Sequence, residues 1–192
     1  MSSQRRVLEA SAAAHQRGEP ATLVVVVATE GSTYVRPGAM ALFGAGGEQV
    51  GWLSGGCLEP EIAVRASVAA VQACIEWMDI DTRDDEDLIG GSALGCRGRL
   101  RLALLPLAAM PGWPSLVQAW QQGQASLQLR VALDGRASAA VNTLQQHWQI
   151  ESSADSVQSD ASVQWQIEVP APPAVLVFGA LPAKQPGKMP QY

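Results

Sequence analysis

Two glycine-lined turns, each carrying a cysteine, are the parts of this sequence best equipped to do chemistry. The first is Ser54-Gly55-Gly56-Cys57-Leu58-Glu59. Its paired glycines let a bound group approach the backbone, and the free N–H donors of a helix that starts just beyond favour an anion. The same partial positive charge would raise the thiolate fraction of Cys57. The second turn runs from Gly90 to Arg99, where Arg97 and Arg99 flank Gly98 beside Cys96. Guanidinium groups recognise phosphate or carboxylate through paired donors, and a cation near a thiol favours the thiolate. A third loop, Glu30 to Ala39, offers Ser32, Thr33 and Arg36 directly after an apolar segment. In α/β sheets, loops at the carboxyl ends of strands commonly hold ligands. Taken singly, each loop also reads as an ordinary turn, with Cys57 a small buried residue and Cys96 an idle thiol. Two such glycine-cysteine loops in one chain are harder to ascribe to chance.

The elements that must position these loops follow from periodicity. Residues 5 to 17 form a helix, closed by Gly18 and then Pro20. Thr22 to Thr29 is a β-branched run of the kind found in a central strand buried on both faces. Ala39 to Phe43 and Gln49 to Leu53 read as a hairpin around Gly44-Ala45-Gly46-Gly47. Leu58 to Ala73 has helical spacing of its apolar residues, with Pro60 in the first turn. Strands follow at Ile75 to Ile80 and Leu100 to Leu105, then a helix at Trp113 to Gln122 and a strand at Leu127 to Leu133. Asp134-Gly135 marks a turn, Ala137 to Ile150 a strand followed by a turn, and Trp165 to Val169 a short strand. The expected fold is α/β, a mixed sheet with flanking helices in a single main domain. Residues 1–106 form its core and 107–169 its continuation, while 170–192 are a linker and tail. Val175 to Ala180 reads as the first strand of a nucleotide-type unit, but Leu181-Pro182 follows in place of a phosphate-binding turn. A C-terminal Rossmann-like domain is therefore expected to be absent or truncated, and neither NAD nor FAD binding is expected.

Composition limits the partners. Thirteen Lys and Arg against eighteen Asp and Glu leave a net charge of −5, which gives no electrostatic footprint for a nucleic acid. No apolar run approaches the roughly 20 residues that span a bilayer. The alanine-rich N-terminus, interrupted by Arg5, Arg6 and Glu9, lacks a secretory pattern, so a cytoplasmic location is expected. Three cysteines, none in a C-x-x-C pair, disfavour both a disulfide framework and a structural zinc site. Cys74, among alanines, reads as core. The acidic run Asp79 to Asp87 reads as a solvated segment, and His15 and His147 have no companion acid or nucleophile.

The three loops, in this order, resemble the XdhC/CoxI family of xanthine dehydrogenase accessory factors. The likeness lies in E-G-S-T-Y-V-R-P-G-A (Glu30 to Ala39), G-W-L-S-G-G-C-L-E (Gly51 to Glu59), L-G-C-R-G-R (Leu94 to Arg99) and P-P-A-V-L-V-F-G-A (Pro172 to Ala180). The resemblance implies a cytoplasmic chaperone that binds the molybdenum cofactor as cargo, helps a cysteine desulfurase to sulfurate it, and passes it to an apo xanthine-dehydrogenase-type molybdoenzyme, with a homodimer as one admissible assembly. Carried over by position, Cys57 and Cys96 would be the cofactor-binding thiols. Ser54, Gly55, Gly56 and Glu59, with Ser32, Thr33 and Arg36, would belong to the surrounding loops. Family members usually have G-C-G-G where this chain has Gly95-Cys96-Arg97-Gly98, a departure that bears on Cys96. Two other functions stay open: an enzyme with Cys57 as nucleophile, needing Glu59 or Glu61 as base, and an inactive interaction module left by domain loss.

Overall fold

The computed structural model describes residues 3–81, 98–123, 125–152 and 163–173. Helix α1 (Ser3–Arg17) leads into strand β1 (Ala21–Gly31), followed by β2 (Met40–Gly44) and β3 (Gln49–Val50). Helix α2 (Glu59–Gln72), β4 (Glu76–Asp81) and β5 (Gly98–Pro106) come next. After a short 3-10 turn come α3 (Trp113–Gln122), β6 (Leu127–Ala132), β7 (Arg136–Val141), β8 (Leu144–Gln149) and β9 (Gln164–Val169). Two antiparallel sheets result, ordered β3-β2-β1-β5-β4 and β8-β7-β6-β9. The fold is mixed α/β, as the sequence indicates.

β1 is central because its side chains are apolar on both faces. Leu23, Val25 and Val27 enter a cluster shared with α1, α3 and the second sheet, whereas Val24 and Val26 meet Ile62, Ala66 and Ala69 of α2. Both neighbouring strands run antiparallel to it. A β-bulge interrupts the pairing with β5: Val26 faces Leu102 while Ala28 faces Arg101, so Val27 is supernumerary. Beyond the bulge Glu30 lies opposite Arg99 and Gly31 opposite Gly98.

Polar groups drawn into this core are used to tie its elements together. Thr22 Oγ1 donates to the Ala66 carbonyl at 2.7 Å, joining β1 to α2. Trp113 Nε1 donates to Ser11 Oγ at 2.9 Å, joining α3 to α1, and the Ser11 hydroxyl donates in turn to the Leu8 carbonyl. Trp148 Nε1 reaches the Pro111 carbonyl at 2.9 Å and its ring meets Trp113 edge-on at 6.4 Å. Each of these two tryptophans places a large apolar body inside and its donor on a carbonyl or hydroxyl. Trp77 and Trp165, one from each sheet, touch at 5.1 Å, with Arg101 stacked over Trp165 and bound bidentately to Asp79. Trp77 Nε1 is the exception to the pairing, a buried donor with no acceptor among the described residues.

Three expectations are corrected in detail. β3 ends at Val50, not Leu53, because Gly51 turns the chain with φ of +92°. Residues 137–150 form a two-stranded hairpin, turning at Asn142 (φ +52°), rather than a strand and a turn. Helix α2 runs from Glu59 to Gln72, one residue shorter at each end than Leu58 to Ala73, because Leu58 is the N-cap and Ala73 is left-handed. The expected strand at Val175 to Ala180 and the acidic residues 82–87 lie outside the described residues.

Candidate functional site

Gly51, at positive φ, sits so tightly that a Cβ there would lie 2.8 Å from Val7 Cγ2 and 2.9 Å from the Met40 carbonyl. The next two side chains part company: Trp52 is 63% exposed, while Leu53 is buried against the α2 face of the first sheet. Ser54 then begins the turn into α2, with Gly55 and Gly56 both left-handed at φ +78° and +115°. Such angles suit glycine alone at little cost.

What organises this turn is Glu59, the first residue of α2, whose side chain folds back and is only 4% exposed. Its Oε1 accepts from the backbone N–H of Leu53 at 2.9 Å and of Ser54 at 2.8 Å. Its Oε2 accepts from the Gly56 N–H at 2.8 Å and from the Ser54 hydroxyl in a short contact. Ser54 Oγ also accepts the Leu58 N–H at 3.0 Å. Burial works to raise the pKa of this carboxyl, but the hydrogen bonds from Ser54, hydroxyl and N–H, and from the Leu53 N–H outweigh it and hold the group below the ordinary glutamate range. An internal anion therefore already occupies donors that were expected to meet a bound one.

Cys57 stands at the exposed outer end of this turn. Its Sγ has only weak approaches to Ser54, 3.6 Å from the carbonyl and 3.7 Å from the hydroxyl. A Cβ at Gly55 would meet nothing within 4 Å, and one at Gly56 only Trp52 Cζ3, at 3.9 Å. The thiol thus shares an open rim with a flat indole. Trp52 was not singled out in the sequence, although an aromatic immediately after a strand-ending glycine and two residues before the Ser-Gly-Gly turn was the available signal. The five-residue separation of Ser54 and Glu59, longer than a capping box, hid their mutual bond.

In the third loop Thr33 Oγ1 donates to the Val35 carbonyl at 2.7 Å, and Ser32 and Arg36 are exposed. Val35 and Leu58 pack on the same apolar cluster as Leu53 and Leu100, so the loops bearing Arg36 and Cys57 are anchored to one face of the sheet. Gly98 closes the circle: a Cβ there would lie 2.6 Å from both the Ser32 carbonyl and Thr33 Cγ2. Cys96 and Arg97 lie outside the described residues. The sheet is antiparallel, so the rule about carboxyl ends of parallel strands does not explain this clustering; loop packing does. Cys74 is buried, and burial first, then the charges of Glu76 and Glu151, push its thiol pKa up, as suits a core residue. Among the described residues no three His, Cys, Asp or Glu side chains group as a metal site, and no helix is long and apolar enough to cross a membrane.

Residues 14–74 match the model of the XdhC and CoxI family. That match takes in 61 of the 192 residues, including the Glu30 to Ala39 loop and the Cys57 turn. An 80-residue stretch is 39% identical to a probable xanthine dehydrogenase subunit of Bacillus subtilis (strain 168), covering 42% of this chain and 24% of that protein. A crystal structure of a xanthine dehydrogenase from Bacillus halodurans superimposes with a TM-score of 0.68 at 21% identity, over 88% of this chain and 53% of that one. At that identity the likeness concerns the fold. The chain thus spans about half the length of the solved relative and matches about a quarter of the curated one.

Proposed function

We propose that this chain holds the molybdenum cofactor as cargo at the Cys57 rim, supports its sulfuration by a cysteine desulfurase and hands it to an apo xanthine-dehydrogenase-type enzyme. The observation that carries this reading is an exposed thiol on a turn held rigid from beneath by a buried carboxylate. A soft sulfur donor suits a thiolate-liganded metal, and the neighbouring indole offers a planar heterocycle a face to stack on. Gly55 leaves room for that approach.

The residues fit the cargo in part. Glu59 consumes the turn's N–H groups, so the phosphate of the cargo must be met elsewhere, and Arg36, exposed on the adjoining loop, is suited to it. Cys57 supplies the sulfur contact, Ser54 and Glu59 fix the turn, and Trp52 shields one side. Cys96, two residues before Gly98, is the proposed second thiol.

The alternative of Cys57 as a catalytic nucleophile is less favoured. Glu59, the nearest carboxylate, accepts four hydrogen bonds and is held acidic, which makes it a poor base. The test is co-elution of purified protein with molybdenum cofactor, comparing wild type with Cys57→Ala. Loss of retention in the variant is expected. Equal retention would remove Cys57 from the site, and no retention by either protein would remove the reading altogether.

A further inference from the structure

The outer face of the second sheet is polar and, among the described residues, uncovered. Its inner side chains, including Leu129, Val131, Ala139 and Trp148, are in the core, so the alternate residues turn outward. One row crosses three adjacent strands. Arg130 of β6 lies opposite Ser138 of β7, which lies opposite His147 of β8. Two long donor side chains therefore flank a small hydroxyl, with roughly 10 Å between the outer two backbones at two strand spacings. Clefts of about 520 and 140 Å³ open on this row, and both are lined by Arg130, Ser138 and His147.

The row is oriented from one side. Arg130 Nε donates to Gln166 Oε1 at 3.1 Å, Gln166 Nε2 donates to Gln128 Oε1 at 2.8 Å, and Gln128 Nε2 donates to Ser126 Oγ at 3.2 Å. This relay of amides, all donating in one direction, fixes Nε and leaves the Nη groups of Arg130 without an acceptor among the described residues. The side chains of Ser138 and His147 likewise have no hydrogen-bond partner there. Nearby acids form no ion pair with the row among the described residues: Asp134 is bound to Arg136 at 2.7 Å, and Glu168 lies opposite Gln128, two residues beyond Gln166 on β9.

The geometry points to a second ligand site on this face, separate from the Cys57 rim, that takes an oxyanion, the carboxylate or phosphate group of a small metabolite or a protein side chain. Arg130 supplies paired Nη donors on one side, His147 a ring N–H on the other, and Ser138 a hydroxyl from the floor. An arginine whose Nε is already tethered loses less freedom on binding.

The chain has two histidines, His15 on α1 and His147, so their ring proton resonances form a built-in pair of reporter and control. The intact protein is titrated with inorganic phosphate, and separately with acetate, at constant ionic strength. The His147 resonance is expected to shift saturably in the millimolar range while His15 stays still, and Arg130→Gln should weaken the response at least fivefold with His147 still present. Stronger binding of phosphate than of acetate would identify a phosphoryl ligand, and the reverse a carboxylate. A static His147, a shift shared equally by His15, or an unchanged midpoint in Arg130→Gln each overturns the proposal. Arg130 is exposed, so unchanged far-ultraviolet dichroism is expected for the variant. Should it nevertheless unfold, Ser138→Ala, which removes only the floor hydroxyl, must weaken the shift for the proposal to survive.

Discussion

Replacing Glu59 with Gln isolates the device that shapes the Cys57 turn. The carboxylate accepts two backbone N–H groups on Oε1, and one N–H plus the Ser54 hydroxyl on Oε2. A glutamine must point its NH2 at one of these pairs. The cheaper orientation sets the NH2 against Ser54 Oγ and the Gly56 N–H; the hydroxyl can rotate to accept, but the Gly56 N–H loses its partner. Because Gly56 is exposed and its bond only partly buried, losing that partner costs no more than about 1 kcal/mol, and neutralising the acceptor weakens the three remaining charge-assisted bonds by about half. The sum is about 3 kcal/mol, or a fall in Tm of about 6–12 °C for a chain of this size. The effect has a definite pH dependence. The Glu59 pKa is depressed in the folded state, so the stabilisation is fully present above the unfolded value of about 4.3 and disappears as pH falls through the lower folded value. Calorimetry of wild type and Glu59→Gln at pH 7 and near pH 3 should show a wide gap that narrows in acid. A gap that stays constant, or widens, on acidification would refute the account of Glu59 as a buried anion. Iodoacetamide labelling of Cys57 should also quicken in the variant as the turn loosens.

Other substitutions test the scaffold. Gly51→Ala forces a Cβ at positive φ into Val7 and the Met40 carbonyl, and is expected to cost about 2–4 kcal/mol in chemical denaturation. Ser11→Ala leaves the buried Trp113 N–H unpaired, a loss of about 1–3 kcal/mol readable by the same assay. Ala73→Gly, at the left-handed end of α2, should instead raise stability by about 0.5–1 kcal/mol, because glycine relieves the strain of that conformation. Gly98→Ala would press on Ser32 and Thr33; it is expected to weaken cargo retention without changing Cys57 labelling.

The parts legible in the sequence were those where local signals and tertiary demands agree. Helix α1 ends at Gly18, whose φ is +68° and whose N–H bonds back to the His15 carbonyl. The valine run of β1 is buried on both faces, although the burial comes from α2 on one side and from two helices with the second sheet on the other, rather than from parallel crossovers. The β7–β8 hairpin was missed because Asn142-Thr143 is a weak turn signal and its strands carry Ala, Ser and Gln in place of β-branched residues. At the site, glycine and cysteine spacing located the turn, but the destination of the Glu59 side chain depends on three-dimensional hydrogen bonding that periodicity does not encode. The buried tryptophan bonds escaped notice for the same reason: Ser11 and Trp113 are 102 positions apart.

The supernumerary Val27 makes β1 unevenly tolerant of changes in its length. Removing one codon at Val24 would reverse the inward and outward assignment of one half of the strand relative to its partners and scramble both apolar compartments at once. Removing Val27 leaves Ala28 opposite Arg101 and merely straightens the ribbon, forfeiting one valine side chain. Single-residue deletions should therefore accumulate in natural variation at this point of the strand and be purged a few residues upstream.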